Sequence, residues 1–320
     1  MKEVNTRYGI LKGVIYMDLY SDGTLRDCVV TKPHELVTPF GTLVPLFQDA
    51  EIRRKTGKAI TFYPNGCLKN LPLQEQTGIQ TPLGILPTEY LTFYEDGSLR
   101  RVFPLDGKLS GYWTEEDERN LAYAMDFQLS CGRFKSRIIG IQFYPNGSVK
   151  SITLWPGELI SVKSPLGSME VRTGLSFYPG GQLKSLEPAR PTPVQTPLGT
   201  VYAYDCQSLG LNGDANSLCF SEEGTLISLM TSTDKIELTG KTGEKHLFRP
   251  GYKPNLLDPE VLDPIPLKVE FAGNRLLLYQ DGVKEFSIRD HTFAVKNLNS
   301  QVGCSGCSSC TGCGESHRFS

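Results

Sequence analysis

A mainly β fold built from serial β-hairpins is what this chain of 320 residues predicts. Three observations carry that expectation: an aromatic-and-glycine phrase that recurs along the body, a second phrase of Thr or Ser, Pro, an apolar residue and Gly interleaved with it, and a single stretch with helix-start chemistry.

The first phrase reads Leu19-Tyr20-Ser21-Asp22-Gly23-Thr24-Leu25-Arg26, then Phe62-Tyr63-Pro64-Asn65-Gly66-Cys67-Leu68-Lys69, then Phe93-Tyr94-Glu95-Asp96-Gly97-Ser98-Leu99-Arg100. It returns as Phe143-Tyr144-Pro145-Asn146-Gly147-Ser148-Val149-Lys150 and as Phe177-Tyr178-Pro179-Gly180-Gly181-Gln182-Leu183-Lys184, with weaker copies around Gly224 and Gly282. Pro at the first central turn position presets φ, Asn or Asp tolerates the second, and Gly takes the left-handed position that a Cβ would penalise. The apolar residues on either side favour strands, so each copy predicts a hairpin tip closed by a type I turn with a glycine bulge.

The second phrase is Thr38-Pro39-Phe40-Gly41, Thr81-Pro82-Leu83-Gly84, Ser164-Pro165-Leu166-Gly167 and Thr196-Pro197-Leu198-Gly199, each following a first-phrase glycine at a nearly fixed distance. It predicts a second tight turn per unit, and hence an elongated meander or solenoid whose neighbouring units complete one another's core. Thr114, followed by Glu115, Glu116, Asp117 and Glu118, has the makings of an N-cap with acids in the first turn, which predicts one inserted helix over about 115–127. The prolines between Arg249 and Pro266 are barred from central strands. The domain expectation is therefore a hairpin domain over 1–248, a Pro-rich linker over 249–266, a small β cap over 267–300 and a flexible, disordered Cys-rich tail over 301–320.

The phrase Phe-Tyr-Pro-Asn-Gly-x-Leu-Lys resembles the MORN repeat, and more closely the MORN-like repeats of bacterial proteins described as antitoxin components. The best matches are residues 62–69, 93–100, 143–150 and 177–184, spread over roughly the first two-thirds of the chain; the Thr-Pro-Leu-Gly arms have no counterpart in that pattern. The resemblance implies a twisted sheet used for contact with another protein.

Composition narrows the function classes. With 39% hydrophobic and 21% charged residues and a formal charge of -2, no basic field advertises nucleic acid or an anionic membrane. No stretch approaches the ~20 apolar residues of a membrane span. Together with the absence of a signal-like N-terminal run, this predicts a cytoplasmic protein. Cys28, Cys67, Cys131, Cys206 and Cys219 have no paired spacing, which suits reduced thiols better than a disulfide framework.

The chemistry is concentrated at the C-terminus, where Cys304, Cys307, Cys310 and Cys313 stand at an unbroken three-residue step with only Ser, Gly and Thr between them. A segment with so little to bury does not offset its ordering entropy unless something binds the thiols. Four thiolates supply a full soft coordination sphere for an iron–sulfur cluster or zinc. The run resembles the first three cysteines of a bacterial ferredoxin site and departs from it at the fourth, which comes one residue early and without a following Pro. The expectation is a non-enzymatic scaffold or interaction protein with a metal-binding tail. Two alternatives stand beside it: a redox or metal-delivery protein in which the tail is the active part, and a tail that is itself enzymatically modified. His34, His246, His291 and His317 lie in no recognisable catalytic pattern, and Gly240-Lys241-Thr242 lacks the Gly that a phosphate loop requires at Lys235. The aligned Tyr20, Tyr63, Tyr94, Tyr144 and Tyr178, with Arg26, Lys69, Arg100, Lys150 and Lys184, read either as a packing ladder or as an aromatic-basic binding stripe.

Overall fold

The computed structural model describes residues 2–48, 52–54, 58–208, 213, 216–255, 258 and 260–298. They form antiparallel strands joined by hairpins, with one α-helix. The chain divides into two compact units: the first takes residues 1–127, 135–155 and 179–181, and the second takes 128–134, 156–178 and the chain from 182 onward.

The first-phrase tips have the chemistry that their sequence predicts. At Gly23, Gly66, Gly97, Gly147, Gly181 and Gly224, φ lies between +79° and +86°, the left-handed region that glycine enters freely. The backbone N–H of Tyr20 donates to the Thr24 carbonyl and that of Gly23 to the Tyr20 carbonyl, a pair repeated at Tyr63, Tyr94, Tyr144 and Ser221. Register slips by one residue as each tip is reached, from Asp18↔Asp27 to Leu19↔Leu25 in the first hairpin, which marks the glycine bulge. The Asx side chain braces the turn from within: Asp22, Asn65, Asp96 and Asn146 each accept from the backbone N–H two residues on, at 2.8–3.0 Å.

Successive hairpins pair in one recurring register. Cys28 and Asp27 lie opposite Ile60 and Thr61, Leu71 and Asn70 opposite Leu91 and Thr92, and Val102 and Arg101 opposite Ile141 and Gln142. In the second unit Leu186 and Ser185 lie opposite Leu218 and Cys219. This register turns the phrase's aromatic inward: Phe62, Phe93, Phe143, Phe177 and Phe220 are each 3% exposed or less, and they anchor the cores of the two units.

The second phrase closes two-residue turns by its hydroxyl. Thr38, Thr81, Ser164 and Thr196 each donate to the carbonyl of the phrase's Gly and accept from the N–H two residues on. Thr6-Arg7-Tyr8-Gly9 makes the same two bonds without a proline, a fifth turn of this kind. The arms fold back onto later hairpins: the Phe40 ring lies 5.8 Å from that of Phe93, and Pro82 and Pro165 sit against the tips at Gly147 and Gly224. A Cβ on Gly147 would meet Pro82 Cγ at 3.2 Å, while one on Gly66 would meet nothing within 4 Å. Gly147→Val is therefore expected to cost more than Gly66→Val, which pays only the left-handed penalty of ~1–2 kcal/mol. Equal melting temperatures for wild type and both variants would refute the turn assignment.

Three elements differ from expectation. The helix covers Glu115–Leu121 and not 115–127; the Thr114 capping box starts it as foreseen, but Ala122 is already extended and Met125–Leu129 is a strand. Leu121 is 46% exposed and Glu118 is the helix's buried residue, so no apolar face extends it. The weak copy at Gly282 makes another turn, with both Asp281 (φ 51°) and Gly282 (φ 115°) left-handed. Within residues 249–266, Gly251–Pro254 pairs with Leu262–Ile265 as an isolated two-stranded ribbon, in which a proline costs no central ladder bond. Leu267–Ala272 then pairs with Leu226–Thr231, continuing the ladder through Arg275–Tyr279 to Val283–Ser287. Asp234–Gly240 forms a separate three-stranded sheet with Lys245–Phe248 and His291–Asn297.

Candidate functional site

Cys304, Cys307, Cys310, Cys313 and His317 lie outside the described residues. Among the described residues no group of three or more His, Cys, Asp or Glu side chains is placed to hold a metal. The body thiols stand apart as free cysteines, four of them buried. Burial pushes Cys28 up to about 12 and Cys131 up to about 11, and raises Cys219 as well, so these sulfurs stay protonated and are poor ligands.

The aligned tyrosines and bases are spent within the fold. Tyr20 Oη donates to the Phe62 carbonyl at 2.8 Å, Tyr63 to Phe93 at 3.0 Å, Tyr94 to Phe143 at 2.9 Å and Tyr178 to Phe220 at 2.8 Å. Each tyrosine thus fastens its own hairpin to the aromatic residue of the next. The base of the same copy lies over the ring: Lys69 Nζ is 5.5 Å from the Tyr63 centroid, Arg100 Cζ 5.6 Å from Tyr94 and Lys184 Nζ 5.5 Å from Tyr178. At Tyr63, Tyr94 and Tyr178 the arrangement is a packing ladder, with hydroxyl and ring face both partnered within the fold.

Two buried charge clusters escaped the sequence reading. In the first unit Arg53 takes two carboxylates at once, bonding both oxygens of Glu89 at 2.7 and 2.9 Å and both oxygens of Glu118 at 2.7 and 2.8 Å. Glu118 also accepts from Trp113 Nε1 and from the Gly107 N–H, and Glu89 from the Asp106 N–H. Desolvation works against the Glu118 charge, but the Arg53 and Trp113 hydrogen bonds outweigh it and hold the carboxyl below its ordinary range. With its donors and acceptors paired off, the cluster holds the inserted segment in place and has no free acid or base to offer. The available signal was Glu89, the one charged residue in the strand Gly84–Phe93.

In the second unit Glu187 is completely buried, accepting from the Asp205 N–H and from both the N–H and the hydroxyl of Ser217. Desolvation dominates and lifts its carboxyl to about 7, with the Ser217 and Asp205 hydrogen bonds and Arg172 opposing. A carboxyl without exposed surface is closed to substrate, so it acts on the fold. Of the histidines, His34 Nε2 lies between the N–H and carbonyl of Lys12, while His246 and His291 pack on Phe286. No helix among the described residues is long and apolar enough to cross a membrane. No family model matches the chain, and no curated protein or solved structure does.

Proposed function

We propose that the chain is a non-enzymatic hairpin-repeat scaffold for contact with another protein, carrying a C-terminal Cys-x-x-Cys-x-x-Cys-x-x-Cys tail that binds a metal ion or an iron–sulfur cluster. One observation carries this reading: four cysteines at a three-residue step in a segment with almost nothing else to bury. The body supports it by contrast. Its cysteines are dispersed and its buried acids are committed to hydrogen bonds, so the soft ligands that stand together in sequence are Cys304, Cys307, Cys310 and Cys313. The MORN-like phrase supports the contact role.

The test is to cut the chain after Val302 and compare it with the full chain, both purified without oxygen. Truncation is expected to abolish tight metal binding while leaving the melting temperature of the body unchanged. Brown full-length protein with iron–sulfur absorption would mark an electron-transfer tail, and colourless protein containing zinc a chelating or structural one. Metal retained after truncation would place the ligands elsewhere and end this reading.

A further inference from the structure

The run Phe-Tyr-Pro-Asn-Gly occurs twice, at Phe62–Gly66 and at Phe143–Gly147. An asparagine followed by glycine is chemically labile, because the glycine carries no side chain to shield its backbone nitrogen, which can attack the asparagine amide carbon. The shared run gives Asn65 and Asn146 the same intrinsic tendency to lose ammonia. Both stand exposed at hairpin tips, and in both the glycine N–H is bonded to the carbonyl of Tyr63 or Tyr144 at 2.9 Å, so the backbone protects them equally.

The two side chains are held differently. Asn65 Oδ1 accepts from the Cys67 N–H at 2.9 Å, and its amide nitrogen donates to the Glu95 carbonyl at 2.8 Å, which ties the group that must depart to the next hairpin. The turn at Thr6–Gly9 clasps the same tip: Arg7 Nη1 donates to Cys67 Sγ at 3.0 Å, and the Leu68 N–H donates to Tyr8 Oη at 3.2 Å. Asn146 Oδ1 takes two donors instead, the Ser148 N–H at 3.0 Å and the Ser148 hydroxyl at 2.7 Å. Its amide nitrogen has no partner among the described residues. Two donors on the oxygen where negative charge develops, and none of the restraint on the departing nitrogen, favour reaction at Asn146.

We propose that Asn146-Gly147 is a site of spontaneous modification whose co-reactant is water, while Asn65-Gly66 is held as the amide. The Gly147 nitrogen loses its proton to solvent base and attacks Asn146 Cγ. The new C–N bond closes a cyclic imide, the Cγ–Nδ2 bond breaks, and Nδ2 takes up a proton and leaves as ammonia. Water then adds to one imide carbonyl and the ring nitrogen regains a proton, which leaves aspartate or isoaspartate; no electrons are exchanged with another reagent. The aspartate product fits the tip. Asp22 and Asp96 occupy the same position in their own hairpins and accept the same pair of donors, from Thr24 and Ser98, at 2.6–2.9 Å. Isoaspartate, with one more carbon in the main chain, displaces the bond from the Tyr144 N–H to the Ser148 carbonyl that closes the turn.

The test incubates the full chain, folded and in guanidinium, in mildly alkaline buffer and follows two tryptic peptides by chromatography and mass spectrometry. The peptides are Ala59–Lys69 and Ile138–Lys150, each carrying one copy of the shared run. In the folded chain, acid is expected to accumulate at Asn146 at least about threefold faster than at Asn65, the effect of about one hydrogen bond. In guanidinium the two rates are expected to converge. Ser148→Ala removes the hydroxyl donor and is expected to slow Asn146 by about three- to tenfold while leaving Asn65 unchanged. Near-UV circular dichroism establishes that the variant is folded; if it is not, the wild-type comparison between folded and denatured chains decides. An Asn146 no faster than Asn65 in the folded chain overturns the proposal. So does a difference that persists undiminished in guanidinium, which would belong to Cys67 and Ser148 as following residues and not to the fold. A folded Ser148→Ala variant that reacts as fast as wild type, or faster, overturns it as well.

Discussion

Arg53→Met is expected to destabilise the first unit by about 3–5 kcal/mol, the usual cost of removing one member of a buried ion pair. The side chains of Arg53, Glu89 and Glu118 are 14%, 8% and 5% exposed, so water does little to screen what is left behind. What is left is two carboxylates that share one guanidinium, now facing each other without it. They would regain neutrality by taking up protons, so the loss should be largest at neutral pH and shrink on acidification. Neutralising both acids as well, with Glu89→Gln and Glu118→Gln, is expected to recover more than half of the loss, because the penalty lies in the stranded charge more than in the missing contact. Urea unfolding followed by tryptophan fluorescence is a suitable readout, since Trp113 donates to Glu118. A single Arg53→Met variant within about 1 kcal/mol of wild type would show that the cluster is solvated and adds little.

What the sequence revealed, and what it hid, follows from where each residue's partner sits. The turns were legible because their chemistry is local: Asn65 braces the N–H of Cys67, and Gly66 occupies a φ that other residues avoid. The tyrosines were half legible. Their alignment was plain, but each bonds a carbonyl at least 30 residues away, which only the register between hairpins brings within reach. The turn at Thr6-Arg7-Tyr8-Gly9 lacks the proline that marks the other four in sequence, although its closing groups are the same Thr hydroxyl and Gly carbonyl. The helix start is local and legible, but its end is not: Leu121, Ala124 and Met125 have helical spacing, yet Met125 belongs to a strand and the helix buries Glu118 instead. Arg53, Glu89, Glu118 and Glu187 carry no sequence pattern, since burial and charge pairing are set by tertiary packing.

Glu187 makes a second large expectation, opposite in sign to that of the paired carboxylates. Its carboxyl stands at about 7 in the fold against an ordinary 4.5, so between those values the folded chain holds a proton that the unfolded chain has released. Stability from this group is fully present below the unfolded value and is lost as pH rises through the folded one, to a total on the order of 3 kcal/mol. Glu118, held below its ordinary value, contributes in the other direction and loses its share only as the solution turns acid. Asp205 and Asp234 are also raised, chiefly by burial, and slope the same way as Glu187, so the wild-type profile alone does not isolate it. Glu187→Gln does, because the amide cannot ionise: its oxygen can keep the Ser217 donors while its NH2 then faces the Asp205 N–H, a cost that is the same at every pH and leaves the slope free of this group. Denaturant unfolding of wild type and Glu187→Gln across this pH range is expected to give curves that diverge with rising pH, the variant losing less. Parallel curves would mean that Glu187 is charged throughout, with Arg172 and the three donors sufficient to hold a carboxylate in the core.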